Sequence, residues 1–123
     1  MKRLTIKFHE SVEGVQSFTT TSWTQVASKT GNLRAVANFI FLSLEYGGSA
    51  VNQAVGVRVL VNGVERSFDY HTPTLAGQYR KFCDFGVITP SVDADYTISV
   101  EVRAISSSQT VNVQRIRLMV MQT

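Results

Sequence analysis

The stretch GVRVLVNGVERSF, residues 56–68, decides the fold. Valines at 57, 59 and 61 alternate with Arg58 and Leu60; Asn62-Gly63 then interrupts, and a second extended run begins at Val64. Asn-Gly supplies the two positive φ angles of a type I′ turn, whose twist matches that of the flanking strands. A two-residue turn sets Val61 opposite Val64, Val59 opposite Arg66 and Val57 opposite Phe68. One face of the ribbon is then Val57, Val59, Val61, Val64 and Phe68, with Arg66 at its rim. The other carries Arg58, Leu60, Glu65, Ser67 and Asp69. A lone two-stranded ribbon is marginal in water, so its apolar side must close over a second layer.

The same period of two recurs outward from this hairpin. In YTISVEVRAI, residues 96–105, Tyr96, Ile98, Val100, Val102 and Ala104 face one way, and Thr97, Ser99, Glu101 and Arg103 the other. In VNVQRIRLMVM, residues 111–121, the apolar set starts at Val111 and Val113 but continues at Ile116, Leu118 and Val120, which predicts a β-bulge near Gln114 and Arg115. These two runs are expected to pair as a second long hairpin around the polar tip SSSQT. Toward the N-terminus, Thr5 to His9 and Gln16 to Thr20 read as short strands, SWTQVAS holds Trp23 and Val26, and KTGN at 29–32 reads as a turn. YRKFCDFGVIT, residues 79–89, is a further broken strand.

NLRAVANFIFLSLEY, residues 32–46, fits two periods. Leu33, Val36, Ala37, Ile40 and Leu44 suit an amphipathic helix; Val36, Ile40, Leu42, Leu44 and Tyr46 suit a strand. The Phe39-Ile40-Phe41 core and the β-rich surroundings favour the strand. Phe39 and Phe41 then lie on the face opposite the main apolar set, covered by a second layer or by another subunit. In all, about eight strands with turn signals at short, regular spacing predict an all-β chain, a single antiparallel β-sandwich domain over residues 1–123.

At 123 residues, with 44% hydrophobic and 17% charged, the chain can bury a core without staples. Its net charge of +3 is scattered rather than gathered into a stripe, so no nucleic-acid partner is expected. Cys83 is the one cysteine, which excludes an internal disulfide. MKRLTIKFHE lacks the apolar stretch of a signal peptide, and the longest apolar run, Phe39 to Leu42, is too short to span a bilayer; neither secretion by that route nor a membrane partner is expected.

Chemistry is sparse. Ser67, Asp69 and His71 share one strand face, but side chains two apart are about 7 Å apart, too far for a hydrogen-bonded triad. Cys83 beside Asp84 has no histidine near it in sequence, and a free cysteine commonly behaves as a small hydrophobe. Asp93 and Asp95 could offer carboxylates to calcium, but aspartate also favours turns. No zinc-ligand spacing and no phosphate-cradling loop is present, so no catalytic residue, metal or cofactor is expected. Trp23, Tyr70 and Tyr79 are candidate glycan contacts; Trp23 also reads as a core residue, and Tyr70 and Tyr79 flank HTPTLAGQ as one end of a groove. Met119 and Met121, with Arg115 and Arg117, project from the last strand away from its apolar set, a composition common at protein interfaces.

The order SFTTTSWTQV, VANFIFLSLEY, VRVLVNGVERSF and YTISVEVRAI followed by VNVQRIRLMVM resembles small jelly-roll structural proteins of tailed bacteriophages, over most of residues 16–121. These include capsid decoration (cement) proteins and tail-associated modules, and are similar to the tumour-necrosis-factor-like sandwich. The resemblance implies a jelly-roll sandwich and a non-enzymatic virion protein made in the host cytoplasm. It further implies a homo-oligomer, a trimer above other states, bound to the major capsid protein or another virion protein. Phe39, Phe41, Arg115, Arg117, Met119 and Met121 are the expected subunit contacts. Carbohydrate-binding modules and tail-fibre receptor-binding domains share the layout, which leaves a glycan-binding module as the alternative.

Overall fold

The computed structural model describes residues 4–123; Met1, Lys2 and Arg3, part of the basic start considered above, lie outside the described residues. The chain forms β1 (Thr5–Val12), β2 (Gln16–Phe18), β3 (Thr24–Leu33), β4 (Asn38–Gly48), β5 (Val55–Val61), β6 (Val64–His71), β7 (Gln78–Ile88), β8 (Ala94–Ala104) and β9 (Val111–Gln122). Nine strands therefore replace the expected eight, and residues 38–48 are a strand rather than a helix. One sheet, A, runs β1-β9-β4-β7, with β2 also paired to β9; the other, B, runs β3-β8-β5-β6. Every neighbouring pair is antiparallel.

The pairs nest. β5 pairs β6, β4 pairs β7, β3 pairs β8 and β2 pairs β9, each pair enclosing the one before it. The molecule is one long hairpin whose tip is Asn62-Gly63, wound so that successive pairs fall into alternate sheets. Winding brings β9 beside β4 and β8 beside β5. This is an antiparallel β-sandwich of jelly-roll type. The tip has the expected turn, with φ of 51° at Asn62 and 79° at Gly63. Asn62 also docks it, accepting from the Thr97 N–H through Oδ1 at 2.8 Å.

The nesting corrects one expectation. β8 and β9 do not form a hairpin; they lie in different sheets, joined by a crossing loop. Alternation reveals that a segment is a half-buried strand, not which strand it pairs with. Gln109 holds that loop: fully buried, it donates to the Ala50 and Gln53 carbonyls and accepts from the Ala50 N–H.

KTGN is not a turn but the C-terminal part of β3. Gly31 is there for space, since a Cβ would stand 2.5 Å from Phe8 Cδ1, and glycine in a strand often marks such a close approach. The bulge in β9 is where the parity change placed it. Ser43 faces Arg117 and Glu45 faces Gln114, with Arg115 at φ 52°.

A second bulge went unforeseen. Val59 faces Ser67 and Leu60 faces Glu65, so Arg66 is the extra residue and the rest of β6 is turned over. Ser67 and Asp69, expected to be wet, turn inward toward Asp84 and Tyr46 of the other sheet; Phe68, expected in the core, is 59% exposed, and Val64 beside the turn is exposed as well. Ile40, Leu42, Leu44 and Tyr46 of β4 interleave with Val57, Val59, Val100, Val113, Ile116 and Leu118 to fill the space between the sheets. Each such side chain taken fully from water stabilises by about 1.5–3 kcal/mol before entropy is counted.

Candidate functional site

Neither outer face of the sandwich is an ordinary polar surface. On sheet A, the register sets Phe41 between Phe85 and Met119, and Phe39 between Val87 and Met121. Ile6 of β1 pairs with Met121 and His9 with Met119, extending the face by one strand. The Phe85 ring is 5.0 Å from that of Phe41 and 6.3 Å from that of Phe39, yet Phe85 remains 58% exposed. Ile6 and Val87 are about half exposed. A shallow depression of about 790 Å³ opens among Ile6, Phe41, Phe85, Met119 and Cys83. Odd positions in β7 (Tyr79, Lys81, Cys83, Phe85 and Val87) share this face. Phe85 and Val87 were missed in the sequence, although their alternation with the inward Phe82 could have found them.

The expected contact residues thus separate. Phe39, Phe41, Met119 and Met121 come together in the apolar part. Arg115 and Arg117 lie at its charged end, each committed to a carboxylate of its own chain. Arg115 Nη1 is 3.0 Å from Glu45 Oε1, and Arg117 Nε is 3.0 Å from Glu13 Oε1. Hydrogen bonds from Arg117 and then Ser11 hold the Glu13 carboxyl below its ordinary range, and Glu13 in turn raises Arg117. These pairs are solvent-exposed and worth little in stability.

Sheet B carries a different surface. Trp23, read both as a core residue and as a candidate glycan contact, lies over this sheet's outside, where Arg58 approaches its ring centroid at 4.5 Å and Arg103 at 4.8 Å. The Tyr70 ring is 6.5 Å from Trp23, and Phe68 is 5.8 Å from Tyr70. The three rings form a row made visible by the bulge at Arg66, which turns Phe68 and Tyr70 outward. Gly56 lets two of them lie down, because a Cβ there would stand 2.7 Å from Tyr70 Cε1 and 3.3 Å from Trp23 Cη2. Tyr79 is not part of the row. It sits on the outside of sheet A, so Tyr70 and Tyr79 do not frame a common groove.

The remaining candidates have structural partners. Ser67 donates to Asp84, Asp69 accepts from Tyr46 and pairs with Arg80, and His71 Nε2 is 3.3 Å from the Gln78 carbonyl, so these three do not act on one another. Asp93 accepts from the Ala35 N–H and Asp95 from Asn32. Among the described residues no cluster of three or more His, Cys, Asp or Glu is placed to hold a metal ion. Among the described residues no helix is long and apolar enough to cross a membrane.

No family model and no curated protein matches the sequence. Solved structures do match the fold. VP2 of infectious bursal disease virus, in its subviral particle, is similar at 13% identity and a TM-score of 0.66, over 98% of this chain and 33% of that one. The C-terminal domain of EclA, described as a sugar-binding protein, is similar at 11% identity and a TM-score of 0.58, over 89% of this chain and 79% of that one. The CBM36-1 domain of a multidomain xylanase from the hindgut metagenome of Trinervitermes trinervoides is similar at 9% identity and a TM-score of 0.51, over 94% and 96%. The chain spans about a third of the length of the bursal disease virus protein. At such identities the likeness is one of fold: an antiparallel jelly-roll sandwich.

Proposed function

We propose that this chain is a non-enzymatic structural protein of a virion, of the tailed-bacteriophage decoration type. In this reading it assembles as a homo-oligomer, with a trimer favoured, through the outside of sheet A. The observation that carries the reading is the contiguous set Phe39, Phe41, Phe85, Val87, Met119 and Met121 on one open sheet face. A contiguous apolar patch on a small protein marks a contact surface, and aromatic residues and methionine are enriched in interface cores. The occupant is a second copy of the same chain. The charged end of the face carries paired charges of both signs, Arg115 with Glu45 and Arg117 with Glu13, so it selects no strongly acidic or basic partner. Closed point-group symmetry is the usual state of soluble homo-oligomers, and a trimer closes when one side of this face meets the other side of the same face on the next copy around a three-fold axis. The virion reading is supported by the fold shared with VP2 in a subviral particle. On a repeating lattice, modest contacts per copy add through multivalency, and no chemistry is required.

Cys83 reports on this face directly, being the sole thiol, exposed in the single chain and lining the depression. In the native assembly it should react slowly with a bulky maleimide, and in Met119→Asp/Met121→Asp it should react at the rate of a small exposed thiol. Equal, fast labelling of both would remove sheet A from the interface.

A second reading, a glycan-binding module, is favoured by the Trp23–Tyr70–Phe68 row on sheet B. It is supported by the fold shared with a sugar-binding domain. Because the two faces are back to back, an oligomer built on sheet A leaves this row free.

A further inference from the structure

The cations on the outside of sheet B are not equivalent. Arg58 is neutralised: its Nε and Nη2 are both 2.7 Å from Glu101 Oε1, and its Nη1 is 3.6 Å from Glu65. Arg103, one strand away and facing Gly56, has no carboxylate within 4.0 Å among the described residues. Its guanidinium lies 4.8 Å from the Trp23 ring centroid and 5.9 Å from that of Tyr70, with Nη2 donating to Tyr70 Oη at 3.2 Å. Its Nε is buried with no hydrogen-bond partner. Aromatic faces orient a guanidinium and stabilise its charge without neutralising it. Beside this cation, Tyr70 and Phe68 are 39% and 59% exposed, so apolar ring surface continues outward from it.

We propose that Arg103 and the Trp23–Tyr70–Phe68 row bind a carboxylate-bearing sugar, a uronic- or sialic-acid unit of a larger glycan. This rests on the glycan reading of sheet B and names the ligand that reading leaves open. The C–H faces of the sugar rings lie on the aromatic row, and the carboxylate takes the Nη1 N–H donors of Arg103, which the chain does not use and which are not sealed off as Nε is, in a charge-assisted contact. The surroundings argue against other anions. A phosphodiester chain calls for a stripe of cations, and here Arg58 is already neutralised. An extended peptide adds along an unpaired strand edge; the edge here is the far side of β6, whereas Arg103 and the Gly56 it faces lie on β8 and β5, which are paired on both sides.

Trp23 is the sole tryptophan, so its emission reads binding directly. The probes are two matched pairs: trigalacturonate with its methyl ester, and sialyllactose with lactose. In at least one pair the acidic member should bind roughly ten-fold or more tightly than the neutral one, as expected for a charge-assisted contact. Added salt should weaken that preference, and Arg103→Gln should abolish it. Phe68→Ala, at an exposed side chain that leaves the core intact, should weaken both members of the pair together, which keeps the test open if Arg103→Gln misfolds. Equal binding of acidic and neutral members, or a preference that survives Arg103→Gln, overturns Arg103 as the anchor while the glycan reading stands. Absence of binding by all four sugars overturns both.

Discussion

Tyr46 joins the two layers at a single atom. Its ring is fully buried in the core, edge-on to His71 at 5.9 Å, and its hydroxyl donates to Asp69 Oδ2 at 2.5 Å. Burial first, and then the Asp69 carboxylate, push the hydroxyl's pKa well above the ordinary tyrosine value. Since the unfolded chain ionises near pH 10 while the folded chain keeps the proton, Tyr46 contributes fully below about pH 10 and progressively less above it. Tyr46→Phe should lower stability near pH 7 by about 1.5 kcal/mol, the low end for a hydrogen bond to a charged group, since Arg80 still holds Asp69 at 3.4 Å. The variant should also lose less stability than wild type between pH 9 and pH 11, as denaturant unfolding at the two pH values would measure. Steeper loss in the variant would refute the assignment. In the sequence Tyr46 was legible as an inward residue of a strand. Its partner was not: Asp69 belongs to the other sheet, and alternation carries no information about what lies across a core.

Bulges decide which side chains each strand shows. The bulge in β9 was legible because the apolar residues themselves change parity at Gln114 and Arg115. That in β6 was not, because Glu65, Arg66, Ser67 and Asp69 give no apolar alternation to break. Its effect is to aim Arg66 at the neighbouring sheet edge: the guanidinium lies over Gly86 of β7, pairs with Asp84 at 3.3 Å and donates to the Phe85 carbonyl. β6 and β7 are the open edges of their sheets on one flank, and Arg66 staples them. Any Cβ at position 86 would displace the guanidinium. Gly86→Ala in the wild type should therefore cost up to about 1 kcal/mol, the range of a partly exposed ion pair. In an Arg66→Ala background the same change should cost nothing or stabilise slightly, because alanine narrows the unfolded ensemble. A double-mutant cycle by chemical denaturation measures this, and strict additivity of the two changes would mean that Arg66 is not the staple. Gly31 teaches the complementary lesson. A glycine read as a turn proved to be the space for the Phe8 ring.

For the whole molecule, the nested hairpin follows from local signals, since Asn62-Gly63 sets the tip and alternation marks the strands outward from it. What the sequence left hidden is how the pairs wind into two sheets, and so which outward residues meet. Phe39, Phe41, Met119 and Met121 were legible by parity on single strands. Their union with Phe85, Val87 and Ile6 into one face required β4 to lie between β7 and β9, with β1 beyond. The row on sheet B likewise required Trp23, Tyr70 and Arg103 to converge from three strand neighbourhoods. The account makes the two faces separable, one burying against another copy and the other left open. Its central claim is the first of these. The most direct measurement is sedimentation velocity on wild type and Met119→Asp/Met121→Asp at matched concentration, with circular dichroism confirming that both are folded. The account predicts a discrete oligomer, a trimer, for wild type and a folded monomer for the variant. A monomeric wild type, or a variant that keeps the same oligomer, would contradict it.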